Sequence, residues 1–398
     1  MDLDLTYEQL AVKQLVRDFA EKEVAPVAEQ LDEREEFPYD IVRRMGELGL
    51  LGLPFVEEYG GGGADAVAYA IAVEELARVD SSVAITMAAS ISLGGQPINL
   101  FGSEEQKQRW LVPLAQGKIL GALGLTEPGG GSDTAAAITS AKRDGDSWVI
   151  NGNKAFITNA GTAISGFVVV NAVTARRNGR GEISQFIVPK GTPGYTQGKP
   201  YKKIGWHASD TRELSFDNCS VPKEYLLGQE GKGLSQALAV LAGGRISLAA
   251  IGVGLAQGCL EMSLSYAKQR QTFGRPIAEH QAIQFKLADM ATEVELARLM
   301  TWKAAYLKDK GRPFVKEASM AKLFASEAAL RAADQGVQIH GGYGYINEYP
   351  IARFYRDAKV LTIGEGTSEI LRLLIARHLG CGERQPEQGL KERTVGQA

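Results

Sequence analysis

The side chain with the clearest chemical setting is Glu365, held between Gly364 and Gly366 in the run Thr362-Ile363-Gly364-Glu365-Gly366-Thr367-Ser368-Glu369-Ile370. Flanking glycines reach backbone dihedrals closed to other residues and let a ligand approach closely. Thr362 and Glu365 also have capping-box spacing, which alone would mean only a helix start. That start would bury Gly366 in the first turns, at roughly 1 kcal/mol relative to alanine. The sequence therefore predicts a helix beginning at Thr367 or Ser368, with Glu365 just outside it and free to act as a general base.

Four other stretches could contribute chemistry, and each has a plainer reading. Gly124 to Asp133 leaves a strand for a glycine-rich turn whose amides, with the Ser132 hydroxyl, could converge on an anion. Taken alone it is a loop. Asn153 to Gly161 sets Phe156 beside Thr158, a flat wall next to a hydrogen-bonding group, or else an ordinary strand. Arg270 to Arg275 pairs guanidinium groups, which suit phosphate, with Phe273. Its plain reading is a solvated helix end. Gln338 to Tyr345 ends a helix in glycines and needs no function as a C-cap.

The elements that must carry these groups fall into three blocks, at 1–120, 121–230 and 231–380, followed by a polar tail at 381–398. The first block is helical. Thr6-x-x-Gln9 is a capping box, Pro38 suits the first turn of a further helix, and Ser103-x-x-Gln106 caps another. Ala66 to Val79 and Val83 to Phe101 read as buried helices, the second rich in small residues that either pack closely or leave a cavity. Gly60 to Gly63 lacks a phosphate-loop pattern and reads as a flexible connection. Between about 120 and 225 the period becomes that of strands, with Asp144-Gly145 and Asn151-Gly152 as hairpin turns. This predicts an antiparallel β barrel or sandwich. Leu234 to Arg270, Gln281 to Lys308 and Phe314 to Ile339 then form a helical bundle. No β-α-β repeat appears, so a bound nucleotide would not be held by a Rossmann fingerprint.

Composition narrows the class. With 44% hydrophobic and 23% charged residues the chain is a globular protein, and a net charge of −3 gives no reason to expect nucleic acid. Three scattered cysteines make no disulfide framework, and the four histidines have no metal-ligand spacing, so no metal is expected. No signal peptide and no apolar run of spanning length are read, so no membrane span is expected. A bacterial cytoplasmic enzyme, or a mature organellar matrix protein after leader removal, is the expectation.

Taken together, the stretches resemble the acyl-CoA dehydrogenase flavoprotein family from about Leu5 to Arg377. The resemblance is carried by Leu125-Thr126-Glu127-Pro128 with Gly131-Ser132-Asp133, Lys154 with Phe156-Ile157-Thr158-Asn159, and Arg270-Gln271-Thr272-Phe273-Gly274. Glu279-His280-Gln281, Gln338 with Gly341-Gly342, and Tyr355-Arg356-Asp357-Ala358-Lys359 before Glu365-Gly366-Thr367 complete it. The resemblance implies an N-terminal α-helical domain, a middle β domain and a C-terminal four-helix bundle, with FAD between the last two. It implies that Leu123, Leu125, Thr126, Gly131 and Ser132 border the flavin and its pyrophosphate, and that Phe156, Ile157 and Thr158 lie against the isoalloxazine. Arg270, Phe273, His280, Gln281, Gln338, Gly341 and Gly342 would reach the FAD of a neighbouring subunit, in a homotetramer or dimer, and Thr367 and Glu369 would complete the FAD contacts.

Glu365 matches the family's catalytic base, which abstracts the α-proton of an acyl-CoA thioester as the β-hydride passes to flavin N5. The product implied is a trans-2-enoyl-CoA and the electron acceptor electron-transfer flavoprotein. Ser132, Arg245, Gly366 and Arg377 match substrate contacts. Three positions depart from common members: Ala242 stands where many have aspartate, Gly364 where many have tyrosine, and Phe156 where many have tryptophan. Gly244 occupies the alternative base position of some branched-chain members, which leaves Glu365 as the candidate. The small residues from Ala88 to Gly95, with Gly364, lean toward short or medium acyl chains. The competing readings are an oxygen-reducing acyl-CoA oxidase or nitroalkane-oxidase-like flavoenzyme and, more remotely, a non-catalytic helical scaffold.

Overall fold

The computed structural model describes residues 4–177 and 180–382. The N-terminal segment is helical: α1 (Tyr7–Phe19), α2 (Ala25–Arg34), α3 (Tyr39–Glu47), α4 (Ala66–Ala77), α5 (Ser81–Ala88), α6 (Gln96–Phe101), α7 (Glu104–Gln106) and α8 (Val112–Ala115). Side-chain caps start these helices where the sequence offers them. Thr6 Oγ1 accepts from Gln9 N while Gln9 Oε1 accepts from Thr6 N, Asp65 caps α4 through Ala68 N, and Asp80 caps α5 through Val83 N. Every residue of α4 and α5 is buried, so these two form the centre of the N-terminal core.

Between α5 and α6 the chain makes a π-helical turn at Ala89–Gly95. Most of its small residues serve close packing. A Cβ at Gly94 would lie 2.4 Å from the Gly121 backbone, and one at Gly95 2.6 Å from the Phe55 ring. Gly60 to Gly63, expected as a flexible connection, is held by backbone hydrogen bonds, although Gly60, Gly62 and Gly63 are exposed. Gly62 and Gly63 N–H donate to the carbonyls of Gly52 and Phe55, and Gly61 lies against the Phe55 carbonyl.

The middle segment is one eight-stranded sheet: β1 (Leu120–Gly124), β2 (Ser140–Asp144), β3 (Ser147–Thr158), β4 (Ser165–Arg177), β5 (Arg180–Pro189), β6 (Tyr195–Gln197), β7 (Thr211–Pro222) and β8 (Leu226–Leu227). The strand order is β6-β7-β3-β2-β4-β5-β8, with β1 alongside β4. Pairing is antiparallel except that β1, and one residue of β2, run parallel to β4. Asp144-Gly145 turns β2 into β3 as expected. Asn151-Gly152 does not make a turn. It lies inside β3 at a register shift against β7, and Gly152 has φ +143° with Thr139 packed where a Cβ would sit. An isolated glycine within a strand pattern marks such a bulge or close approach.

The C-terminal segment is a bundle of three long helices, α9 (Gly233–Gln269), α10 (Gln281–Asp309) and α11 (Val315–His340), covered by α12 (Pro350–Ala358) and α13 (Ser368–His378). Glycines on α9 let neighbours approach. A Cβ at Gly252 would be 2.9 Å from the Ala325 carbonyl of α11, and one at Gly254 2.2 Å from the Glu74 carbonyl of α4. By length and composition α9 is apolar enough to cross a membrane, but 78% of its most apolar window is buried inside the fold, in keeping with the expected absence of a span. Of the polar tail expected at 381–398, only Cys381 and Gly382 are among the described residues.

α12 joins the three segments. Asp357 accepts from Trp206 N (2.6 Å) and Ser81 Oγ (2.8 Å), and Trp206 Nε1 donates to the same Ser81 hydroxyl (3.1 Å). Arg353 reaches the Val79 carbonyl and Arg356 pairs with Asp32 of α2. The 3₁₀ turn at Lys359–Thr362 follows directly and delivers the chain to Glu365.

Candidate active site

Glu365 sits in the short connection between that turn and α13, where Thr367 caps the helix by accepting from Ile370 N at 3.3 Å. The helix thus begins at Ser368, and Glu365 stays outside it. Its backbone is left-handed, φ +51°, followed by Gly366 at φ +102°. An L-residue pays for that conformation, so the surrounding contacts must hold it. One such contact is the ammonium of Lys322 on α11, which donates to the Gly366 carbonyl at 2.7 Å.

The carboxylate points inward. Glu365 Oε2 is buried and has no hydrogen-bond partner among the described residues. It lies against Gly244 of α9, where a Cβ would be only 2.4 Å away, so a side chain at 244 would displace the carboxylate. Burial pushes the Glu365 pKa up to about 7, with Lys322 and Arg245 holding it back from rising further. The same burial lowers Lys322 to about 8 and lowers Arg245, and the Arg245 Nε has no hydrogen-bond partner among the described residues. The result is a carboxylate near neutrality, facing two cations that make no hydrogen bond to it.

A second group of residues shapes a face on the β sheet. Leu123 is buried at the end of β1, and Leu125 and Thr126 follow it half-buried. Lys154, wholly buried on β3, fixes this loop by pairing with Glu127 at 2.7 Å and donating to the Leu125 carbonyl at 3.3 Å. Burial alone would raise the Glu127 pKa, but Lys154 and the N–H groups of Ile138 and Thr139 hold it below the usual range. The turn at 128–133, with Gly131 and Ser132, is exposed, and a Cβ at Gly129 or Gly130 would meet nothing within 4 Å. Packing within the chain therefore does not require glycine there, which leaves the loop open to a ligand.

Phe156 has φ +61° and stacks on Tyr201 with ring centroids 5.2 Å apart, yet it is 66% exposed. Ile157 points into the core, Thr158 is half-buried, and Asn159 ties the strand end to α5 through the Thr86 carbonyl. An aromatic wall held in a strained conformation and left bare suits a flat ring such as isoalloxazine. The residues present therefore fit FAD, which Leu123 to Ser132, Phe156 and Thr158 would hold. Thr367 and Glu369 border a groove of about 400 Å³ beside Lys359 and Arg331.

The remaining expected contacts lie on open surface. Phe273 is 96% exposed at φ +52°, at the tip of a two-stranded hairpin, and His280 packs edge-on to it while meeting Thr272 and Arg275. Arg270, Gln281, Gln338, Gly341 and Gly342 are exposed as well. Arg377 stands on the last turn of α13, about 15 Å along the helix axis from Thr367. The sequence reading missed Lys322, although a lysine among Ala318, Ala321, Ala325 and Ser326 at helical spacing signals a buried one. It also missed Tyr201, which leaves no local signal.

This fold and site define a flavin-dependent oxidoreductase built from a helical segment, a β sheet and a helical bundle. Family models agree along the chain: the acyl-CoA dehydrogenase N-terminal domain matches residues 6–118, the middle domain 122–219 and the C-terminal domain 231–380. The chain is 54% identical to "Probable acyl-CoA dehydrogenase YngJ" of Bacillus subtilis over 95% of this chain and 100% of that one. It is 49% identical to the mitochondrial short-chain specific acyl-CoA dehydrogenase of Rattus norvegicus, over 95% and 91%. Among solved structures, butyryl-CoA dehydrogenase from Megasphaera elsdenii superposes with TM-score 0.93 at 43% identity, covering 96% of this chain and 100% of that one. A chain solved in work on the electron transferring flavoprotein of Acidaminococcus fermentans gives 0.93 at 46%, covering 95% and 99%. An acyl-CoA dehydrogenase complexed with FAD from Bacillus anthracis gives 0.89 at 39%, covering 94% and 67%. The chain belongs to the acyl-CoA dehydrogenase family, and it is an FAD enzyme of the oxidoreductase class.

Proposed function

We propose that Glu365 is the base that removes the α-proton of a short-chain acyl-CoA thioester, giving the trans-2-enoyl-CoA. The observation that carries this reading is the buried Glu365 carboxylate, pKa near 7, whose Oε2 has no hydrogen-bond partner among the described residues. A carboxylate in water is too weak a base for a thioester α-proton, and desolvation brings it toward the required strength. Arg245 and Lys322 keep part of the population ionised at neutral pH. The Glu365 backbone N–H donates to no acceptor among the described residues and is free to bond the thioester carbonyl, where charge builds as the proton leaves. FAD, when bound, supplies the hydride acceptor.

Short acyl chains are supported by relatives that carry short-chain and butyryl specificity in their names at 43–49% identity. Gly366, Arg245, Ser132 and Arg377 contribute to holding the CoA ester. Electron-transfer flavoprotein is the proposed electron acceptor, supported by the similarity to the chain from the Acidaminococcus fermentans work. A homotetramer is proposed because Phe273, Arg270, Gln338 and the Gly341-Gly342 turn are bare in a single chain. The reading carries with it a cytoplasmic or organellar-matrix enzyme.

The test is anaerobic addition of butyryl-, octanoyl-, palmitoyl- and isovaleryl-CoA to the purified yellow protein, following the visible flavin band. Bleaching by butyryl-CoA that is lost in Glu365→Gln supports the reading. Bleaching retained in Glu365→Gln would remove Glu365 as the base.

A further inference from the structure

Three buried hydroxyls meet about one helical turn along α9 from Gly244, the residue that touches Glu365. Tyr69 OH lies 3.1 Å from Ser92 Oγ, and Ser92 Oγ lies 2.9 Å from Ser247 Oγ. They come from three separate elements: α4, the π-helical turn and α9. Their exposures are 6%, 5% and 2%. We propose that the tip of Tyr69, pinned by Ser92 and Ser247, is the end wall of the acyl-chain pocket and sets the length of chain the enzyme accepts. This rests on Glu365 being the base, since the pocket is measured from its carboxylate.

The position of the trio follows from the helices. Gly244 touches the Glu365 carboxylate, and Ser247 is three residues further along α9, so the two share a face about 5–6 Å apart. α4 runs beside α9 in the same direction, with Glu74 and Ala77 against Gly254 and Arg78 against Gly258. That register sets Tyr69 near Ser247, and helical side chains lean toward the N-terminus, which here is toward Gly244. The field of Glu365 reaches the Tyr69 phenol, whose pKa stands at about 12 mainly through burial.

Burial also gives the direction of the pocket. Gly243, Gly364, Glu365 and Gly366 are half-exposed, so the cleft opens on their side, and Gly364 has only the Val360 carbonyl near the place of a Cβ. A thioester carrying the bulk of CoA enters from the open side. Its acyl end must then point toward the closed side, where the trio stands. The π-helical turn matters here because its extra residue re-aims the small side chains of 89–95. Ser92 faces Tyr69, whereas Gly94 and Gly95 face β1 and Phe55. Two serines fixing the phenol make the wall rigid, and a rigid wall rejects excess methylenes by overlap rather than by weak discrimination.

The test compares kcat/KM for butyryl- and octanoyl-CoA in the FAD-loaded enzyme. The ratio cancels any general loss of flavin or folding. Tyr69→Ala is expected to raise the octanoyl-to-butyryl ratio by roughly tenfold or more. Tyr69→Phe keeps the bulk and frees the tip, and is expected to move the ratio less. Should Tyr69→Ala fail to fold, Tyr69→Leu is expected to shift the ratio toward octanoyl, and Ser247→Val, which adds bulk at the wall, toward propionyl-CoA. An unchanged ratio in Tyr69→Ala, or in both Tyr69→Leu and Ser247→Val, overturns the inference while leaving Glu365 as the base. A wild-type flavin that none of these thioesters bleaches overturns the short-chain acyl-CoA reading, and the inference with it.

Discussion

At the scale of single residues, the decisive property is the charge state of Glu365. The proton-accepting form is the ionised one, so kcat/KM for butyryl-CoA is expected to rise through a pH near 7 and level off above it. Glu365→Gln should lower kcat by roughly 10³-fold or more and remove that rise, as a pH profile of flavin bleaching would report. The same burial has an opposite consequence for the fold. The folded-state pKa lies above the ordinary value of 4.5, so the contribution to stability is complete below about 4.5 and lost as pH rises through 7. The full shift corresponds to about 3 kcal/mol, and partial exposure to the cleft reduces this to on the order of 1–2 kcal/mol. Ligand-free Glu365→Gln should therefore melt above the wild type near pH 8 and show little advantage near pH 4, by calorimetry.

At the scale of elements, two devices hold the site. The Lys154–Glu127 pair fixes the glycine-rich loop after β1 on β3, deep in the sheet. Breaking a buried pair by removing one partner costs about 3–5 kcal/mol. Lys154→Ala is expected to lose stability of that order and to purify with less bound flavin, read from the visible-to-ultraviolet absorbance ratio. The second device is α12, whose Asp357 joins α5 and the β segment through Ser81 and Trp206. Burial and the nearby Asp80 raise the Asp357 pKa to about 6. Asp357→Ala leaves the Trp206 N–H and the Ser81 hydroxyl without their acceptor. A loss of roughly 2–4 kcal/mol is expected in urea unfolding, together with reduced activity because α12 leads directly to Glu365. Cap residues announced many of the elements in sequence, at Thr6, Ser103 and Thr367. Asn151-Gly152 misled because a glycine pair with turn chemistry serves equally as a bulge, and only the partner strand β7 decides which.

At the scale of the whole molecule, Phe273 is 96% exposed on a hairpin tip, an apolar ring of the kind that marks an interaction surface. Phe273→Asp is expected to shift the assembly toward smaller species by light scattering and to lower flavin retention, and an unchanged assembly would remove Phe273 from the proposed subunit contact. The sequence by itself determined the three-block architecture, the long helices of the bundle and the position of Glu365 outside α13. These follow from periodicity and from caps, which act over a few residues. Tertiary structure decided what that glutamate is. Its raised pKa comes from burial, with Gly244 of α9 against the carboxylate, and is held back by Lys322 of α11 and Arg245 of α9, both more than 40 residues away. It likewise decided that the small residues at 89–95 divide between packing and the Tyr69 wall. Desolvation and close packing depend on which distant surfaces meet, and no local spacing encodes that.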